Sequence, residues 1–320
     1  MYLKKNILIK PIEDIRIHRG IKVSELIDLY SQMGGFTAKY LAEAVDIVEE
    51  MVKDSEVKVF LSFTANIVAT GLRGLIAQVI RDRIIDVVIT TGGTVDHDIA
   101  RSLGGIYYEG DFQMDDLVLH DLGIHRLGCV LIPKEKYGEL IESWSHEVLE
   151  ELCNIKETWG VRELLWELGK RLHDRNSILH QCAINKVPIF SPGLVDSAFG
   201  MALMTFREKL RLKGKGTIVL DVLKDMKELA DLVYSSKKIG GIVLGGGISK
   251  HHLIWWAQLK GGLDYAVYIT TAVEWDGSLS GARTREALSW GKLKPRARHV
   301  TVYGDVTIIL PILLSRIVKR

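Results

Sequence analysis

Seven short apolar runs, separated by longer segments with helical spacing, constrain the fold of this chain more than any other feature. The runs do not alternate apolar with polar residues, so they are typical of parallel strands that are covered on both faces. Parallel strands need crossover connections, and helical patterns lie between the runs. The runs are residues 57–63, 86–91, 187–192, 216–221, 240–247, 264–270 and 299–305.

The segments between the runs predict helices on both faces of one sheet. Residues 36–54 carry apolar side chains at helical spacing, residues 66–82 predict a second helix, and a third is expected to start near Asp96. A charged, tryptophan-containing helical stretch occupies residues 134–181. We predict an α/β fold with a single doubly wound, mostly parallel Rossmann-like sheet. Residues 1–35 form an N-terminal helical extension, and residues 36–320 form the α/β domain.

Composition narrows the classes of partner. The 320 residues are 47% hydrophobic with a formal net charge of +2, and the basic residues are scattered, so we expect neither nucleic-acid nor membrane binding. The three cysteines lack metal-ligand spacing, which argues against a metal site and a disulfide framework and favours a cytoplasmic location. The apolar stretch near the end, which contains Pro311, is too short to span a bilayer.

Two glycine-rich turns follow predicted strands, at the edge of the sheet where doubly wound folds bind ligands. The sequences are "TTGGTVDHD" (90–98) and "LGGGISKHHL" (244–253). Each turn allows backbone N–H groups to approach a phosphate, but glycines that merely permit a tight turn explain them equally well, and Asp96 could simply cap its helix. Of His251 and His252, at most one is expected to face the cleft, because adjacent helical side chains diverge.

Residues 273–293 combine acidic, aromatic and basic side chains with small residues, and Lys292 lies directly behind Trp290 and Gly291. A solvated surface lysine is the simple interpretation. The alternative is a nucleophilic lysine, which must be neutral and therefore desolvated or placed beside another cation. Lowering its pKa by about three units from about 10.4 requires roughly 4 kcal/mol from the rest of the fold.

The chain resembles deoxyhypusine synthase, particularly its archaeal members, from about residue 20 to the C-terminus. The strings that carry the resemblance are "GGGISKHH", "DYAVYITTA", "DGSLSGAR" and above all "EALSWGK". The resemblance implies that Lys292 is the nucleophile, that His251 acts as a base and that Glu286 contacts the substrate amine. It further places Trp290, Gly277 and Ser278 at the polyamine, and it implies that residues 36–320 form an NAD-binding catalytic domain.

The resemblance also implies the reaction and the cofactor. NAD accepts a hydride from spermidine, the aminobutyl group passes through an imine on Lys292 to one lysine of the hypusine-containing translation initiation factor, and the hydride returns. No metal is implied. The residues implied to contact NAD are Asn66, Thr91, Gly92, Gly93, Asp196, Gly246, Thr271, Ala272 and Asp305.

Four positions depart from the acidic residues of eukaryotic members: Asp96 and His97 replace a pair of glutamates, and Met201 and Leu279 replace further acids. Because a buried ammonium group needs carboxylates or hydrogen bonds, we expect a weaker grip on the amine, another donor such as agmatine, a free-amine acceptor, or an anchor moved elsewhere. The candidates for a moved anchor are Glu274, Asp276 and Asp98.

The resemblance implies a homotetramer, a dimer of dimers with active sites at the dimer interface and an N-terminal segment able to cover a neighbouring entrance. A protein that binds NAD without catalysis is the alternative from another class, since the amine anchors are altered. The retained Lys292, Trp290, Glu286 and His251 argue against that alternative.

Overall fold

A computed structural model describes residues 9–318, and its centre is a sheet of six parallel strands. The strands are β1 (Val57–Phe63), β2 (Val87–Ile89), β7 (Ile189–Phe190), β9 (Lys238–Leu244), β10 (Leu263–Thr270) and β11 (Leu293–Tyr303). In the sheet they lie in the order β11-β10-β9-β1-β2-β7. The predicted doubly wound parallel sheet is confirmed.

Helices flank this sheet and connect its strands. They are α1 (Val23–Met33), α2 (Phe36–Lys53), α3 (Leu72–Arg81), α4 (Gly92–Ser102), α5 (Asp116–Asp121), α6 (Gly138–Cys153), α7 (Val161–Arg171), α8 (Ile178–Ile184), α9 (Ala198–Leu212), α10 (Val222–Ser235), α11 (Gly247–Gln258), α12 (Glu286–Ser289) and α13 (Val306–Leu314). The helix α1 supplies the predicted N-terminal helical extension, of which residues 1–8 lie outside the described part. The division into residues 1–35 and 36–320 stays a prediction.

The chain reverses its direction of winding beside β1. From β1 it proceeds through β2 to β7 on one side, whereas β9, β10 and β11 extend the sheet on the other side. Strands β1 and β9 pair along their full lengths, from Val57 opposite Lys238 to Phe63 opposite Leu244. This pairing forms a topological switch point, where doubly wound sheets open a crevice for ligands.

Two apolar layers, one on each face, hold the helices to the sheet. Leu61 and Phe63 of β1 face the layer that contains α2, α3 and α13, while Phe60 of the same strand faces the layer that contains α10 and α11. Glycine in β9 allows the first layer to pack closely, because a Cβ at Gly240 would lie 2.5 Å from the sulfur of Met51. Alternate residues of one strand therefore anchor opposite helical layers.

Three local expectations need correction. Residues 216–221 do not join the main sheet, since β8 (Val219–Asp221) pairs instead with β6 (Thr158–Gly160), which itself interrupts the stretch expected to be helical. The segment 66–82 is a 3₁₀ turn (Ala65–Ala69) followed by α3. A small antiparallel sheet of β3 (Tyr108–Glu109), β4 (Ile124–Leu127) and β5 (Val130–Pro133) was not expected.

Candidate active site

The loops at the carboxyl ends of β1, β2, β7 and β9 pack directly against each other because small residues line their contacts. A Cβ at Gly93 would lie 2.9 Å from the Cβ of Ala65, and one at Gly92 would lie 2.6 Å from the Cβ of Ser197. At Gly245, which has a positive φ of 85°, a Cβ would lie 3.1 Å from the hydroxyl of Thr64. The glycines therefore bring main chain, rather than side chains, to the crevice.

Two helices begin at this crevice without a side-chain cap. Thr91 precedes α4 and Gly246 precedes α11, and neither accepts a capping hydrogen bond with its side chain. At the same edge of the sheet, Ser197 caps α9 and Asp305 caps α13. First-turn N–H groups without a side-chain cap attract anions, so the beginnings of α4 and α11 fit the phosphates of a dinucleotide.

All residues implied to contact NAD lie at this edge of the sheet, because each follows the carboxyl end of a parallel strand. Asp305 is committed to capping, since its carboxylate accepts 2.6 Å hydrogen bonds from the main-chain N–H and the hydroxyl of Thr307. The other residues lie in the segments that follow the strands: Asn66 after β1, Thr91, Gly92 and Gly93 after β2, Asp196 after β7, Gly246 after β9, and Thr271 and Ala272 after β10.

Lys292 is positioned by a tight turn between α12 and β11. Gly291 adopts a positive φ of 65°, and the Lys292 main-chain N–H donates to the carbonyl of Ala287 at 2.9 Å. The Lys292 carbonyl accepts from the N–H of Leu263, which ties the turn to the start of β10. The glycine before the lysine is thus required by the left-handed backbone of this turn.

A small cavity of about 130 Å³ lies beside this turn, a size that suits a slender small molecule rather than a folded segment of protein. The cavity brings Glu286, Trp290 and Lys292 together. Its full lining is Lys250, Ile254, Tyr268, Leu279, Ala282, Arg283, Glu286, Ala287, Trp290 and Lys292.

The amine of Lys292 is sheltered, and it has no partner among residues 9–318. The residue is 8% exposed, and its Nζ lies 5.0 Å from the ring centroid of Trp290. Within residues 9–318 the Nζ forms no hydrogen bond or ion pair. Burial without a carboxylate partner among the described residues fits the nucleophilic role that the sequence suggests for this lysine, while the face of Trp290 offers its ammonium group a cation–π contact.

Sequence reasoning missed Lys250, a second buried lysine of the same cavity. Lys250 is 1% exposed, and its Nζ donates to the carbonyls of Leu279 at 2.6 Å and Ala282 at 2.7 Å. Burial lowers its pKa to about 8, an effect that the negative charge of Glu286 opposes. The "SKHH" string does not reveal the role of Lys250, because the burial of this lysine depends on residues distant in sequence.

The two histidines behind Lys250 have different surroundings. His251 is exposed and stacks on Trp255 with 5.7 Å between ring centroids. Burial lowers the pKa of His251, and the positive charge of Lys292 lowers it further, which places the imidazole within electrostatic range of that lysine. His252 is turned inward against Trp256, and burial lowers its pKa to about 4.

Three of the remaining predicted substrate residues, Gly277, Ser278 and Trp290, lie near the cavity. Gly277 and Ser278 are exposed on the loop that leads to Leu279, where the N–H of Ser278 donates to the carboxylate of Asp276. Trp290 is 60% exposed at the edge of the cavity. These residues share one side of the molecule with Lys292.

Asp96 and His97 do not line this cavity. The Asp96 carboxylate accepts from the N–H groups of Ala198 and Phe199, both at 2.8 Å, so it caps α9 and not the helix in which it lies. His97 is buried, pairs with the hydroxyl of Tyr107 at 2.9 Å and has its pKa lowered to about 4 by burial. Within one chain, both side chains are occupied in structural contacts.

The proposed replacement anchors are also largely occupied. Asp98 is fully buried with Arg73, Glu274 is paired with Arg283, and Asp276 binds the backbone of Ser278. Leu279 lines the cavity, whereas Met201 lies elsewhere, beside Asp196 on a groove along α9. Glu286 is the carboxylate that the described part of the chain contributes to the cavity lining.

No helix within residues 9–318 is both long and apolar enough to cross a membrane. The same residues contain no cluster of histidine, cysteine and acidic side chains able to hold a metal ion.

Comparison with known proteins gives one consistent family. A family model described as deoxyhypusine synthase matches residues 25–317. A "Probable deoxyhypusine synthase" of Ignicoccus hospitalis is 53% identical over 317 residues, covering 99% of this chain and 98% of that protein. A protein of the same description from Sulfolobus acidocaldarius is 49% identical, covering 99% of both chains.

A crystal structure described as a "putative deoxyhypusine synthase from Entamoeba histolytica" shares the fold, with a TM-score of 0.67 and 21% identity over 97% of this chain and 98% of that one. The family match spans the glycine-rich turns, the cavity and Lys292 alike. The chain therefore belongs to the deoxyhypusine synthase family, a family of transferases.

Proposed function

We propose that this chain transfers the aminobutyl group of spermidine, with NAD as resident cofactor, to one lysine of the hypusine-containing translation initiation factor. The observation that carries the proposal is the sheltered amine of Lys292, which has no partner in the described chain and lines a cavity with Glu286 and Trp290. Such an amine is available as a nucleophile once it loses its proton.

The crevice beside β1 and β9 fits a dinucleotide, because the uncapped starts of α4 and α11 and the small residues around them leave backbone N–H groups accessible. NAD held there would supply a hydride acceptor and, in its reduced form, a hydride donor for the substrate carbon. The chain would hold its phosphates through Thr91, Gly92, Gly93 and Gly246.

The residues of the cavity would then act on the oxidised amine. Glu286 would hold an ammonium group of the substrate through its carboxylate, and the face of Trp290 would line the path of the alkyl chain. His251, whose pKa is lowered, is neutral at pH 7 and can accept the proton that Lys292 loses.

Lys292 would form a C–N bond to the aminobutyl carbon as the bond from that carbon to diaminopropane breaks, leaving an imine on Lys292. The acceptor lysine would attack the same carbon and release Lys292. Both exchanges move a carbon between nitrogen atoms, with Lys292 as the proposed nucleophile and His251 as the proposed base.

A second candidate is the same chemistry with a different amine, either agmatine as donor or a free amine as acceptor. Leu279 in the cavity wall and the position of Met201 outside it favour this candidate, because one carboxylate, Glu286, faces the amine in the lining. A panel of donors and acceptors with the purified enzyme separates the two. Transfer from agmatine but not spermidine would select the second.

We further propose a cytoplasmic homotetramer built as a dimer of dimers, with a neighbouring chain closing the site. The exposed groove along α9, which adjoins Asp196, supports an additional contact there. Sedimentation velocity at several concentrations tests the assembly. A monomer that is fully active would contradict it.

Transfer activity of two lysine variants tests the proposed function. Lys292→Ala should reduce transfer to the acceptor protein by at least ~10³-fold, because the nucleophile is lost, while NAD affinity stays within about 2-fold. Lys294→Ala is the matched control, since Lys294 lies two residues away and pairs with Asp264 at 2.7 Å. Full activity of Lys292→Ala would refute the proposal.

A further inference from the structure

The ammonium group of Lys250 donates its hydrogen bonds to main-chain carbonyls. Its Nζ donates to the carbonyls of Leu279 and Ala282, at 2.6 and 2.7 Å, and it has no carboxylate within ion-pair distance among the described residues. Burying an ammonium group is unfavourable unless its donors are satisfied. The side chain is therefore fixed by the loop it binds, and the loop by the side chain.

The same loop is held at two further points. The hydroxyl of Thr270 donates to the carbonyl of Ser280 at 3.0 Å, and a Cβ at Gly246 would lie 2.2 Å from the Oγ of Ser280. A Cβ at Gly281 would lie 1.9 Å from the carbonyl oxygen of Val273. Side chains of α11 and β10 thus hold three carbonyls of residues 279–282.

Aromatic packing restricts the lysine further. The Nζ of Lys250 lies 4.4 Å from the ring centroid of Tyr268, whose buried hydroxyl has no hydrogen-bond partner in the described chain. Both residues line the cavity of Lys292. A cation held between an aromatic face and two carbonyls is restricted to one position.

We propose that Lys250 is a positioning residue, which pins residues 279–282 against α11 and thereby fixes the cavity wall that an amine donor contacts. The pinning follows from the contacts alone. Its kinetic consequence rests on the proposed function, because Leu279 and Ala282 line the cavity that contains Lys292.

Three variants separate this role from a general effect on folding. Lys250→Met keeps the length of the side chain and removes its donors, whereas Lys250→Arg keeps donors. Lys260→Met is the matched control, because Lys260 also donates to main-chain carbonyls, those of Tyr234 and Ser236, beyond the other end of α11.

Hydrogen–deuterium exchange of the amides of residues 278–282 measures the pinning directly. We expect exchange at least ~10-fold faster in Lys250→Met, a smaller rise in Lys250→Arg and no change in Lys260→Met. Unchanged exchange in a folded Lys250→Met protein would overturn the inference. An equal rise in Lys260→Met would also overturn it, because the effect would then be global.

Steady-state kinetics test the consequence for the amine. Lys250→Met should raise the KM for the donor by roughly 10-fold or more while the NAD Kd changes by less than about 2-fold. A loss confined to kcat, with normal exchange, would assign Lys250 to the chemistry and overturn the positioning role. If the wild-type protein transfers no group from any amine, the proposed function fails while the exchange result still decides the pinning.

Discussion

The buried Asp98 of α4 differs in its charge pairing from Lys292 and Glu286 of the cavity, of which Lys292 is buried and Glu286 is exposed. Asp98 of α4 is fully buried, and its carboxylate accepts hydrogen bonds from Arg73 at 2.6 Å, from Ser177 and Leu179 at 2.8 Å and from Ile178 at 3.1 Å. Both carboxylate oxygens of Asp98 are therefore satisfied by the chain itself.

Two charged groups of the cavity lack such partners in the described chain. Lys292 has no partner among the described residues, and the carboxylate of Glu286 forms no ion pair there. A charge satisfied by the chain stabilises the fold, whereas a charge left without a partner stabilises a ligand that brings one. The comparison therefore separates residues that hold the fold from residues that hold the substrate.

Removing Asp98 should give the largest effect on stability. Asp98→Ala leaves the buried Arg73 with one carboxylate partner, Asp174, in place of two and removes the carboxylate that caps α8, so we expect a loss of about 3–5 kcal/mol in the free energy of unfolding. Denaturant unfolding measures this. Asp231→Ala is the control, because its exposed ion pair with Lys227 should contribute less than ~1 kcal/mol. If Asp98→Ala kept normal stability but lost much of its affinity for the donor, Asp98 would belong with the residues that hold the substrate.

A second test uses pH and His97. Burial lowers the pKa of His97 to about 4 in the folded protein, against an ordinary value of about 6.5 when unfolded. The unfolded state therefore binds more protons between these two pH values. The contribution of His97 to the free energy of unfolding is fully present above about pH 6.5 and falls by up to roughly 3 kcal/mol as the pH approaches 4.

The variant His97→Gln removes this titration. Its free energy of unfolding should depend less steeply on pH between 4 and 6.5 than that of the wild type, by up to one proton. Parallel denaturant curves at several pH values measure the difference. Identical slopes in the two proteins would show that His97 does not stay neutral in the folded state.

Replacing Glu286 should have the smallest effect on stability of the three changes. Glu286→Gln should raise the KM for the amine donor by about 10- to 100-fold, because a charged hydrogen bond is lost, and should change the free energy of unfolding by less than ~0.5 kcal/mol. Steady-state kinetics and denaturant unfolding measure the two quantities. Marked destabilisation with an unchanged KM would place Glu286 with the structural charges.

The architecture was readable from the sequence because buried parallel strands are uninterrupted apolar runs. β1, β9 and β10 were expected and confirmed. Strand β8 was expected but was assigned to the main sheet, whereas β6 and the small sheet of β3, β4 and β5 were not expected, because those strands are short and partly exposed and have no distinctive pattern.

The site was readable as a set of loops but not as a set of contacts. The glycine-rich turns and the string around Lys292 could be placed at one edge of the sheet because parallel strands end together. The burial of Lys250 and the commitment of Asp96 to α9 depend on residues about 30 and 100 positions away along the chain. Local patterns hold no information about such partners.

The most direct test of the account is peptide mass spectrometry after the protein has been incubated with NAD and spermidine and reduced with borohydride. We predict an aminobutyl adduct on Lys292, with none on Lys250 or Lys294. An adduct on another lysine, or none with spermidine or any other amine donor, would contradict the central claim that Lys292 is the residue left free for the substrate.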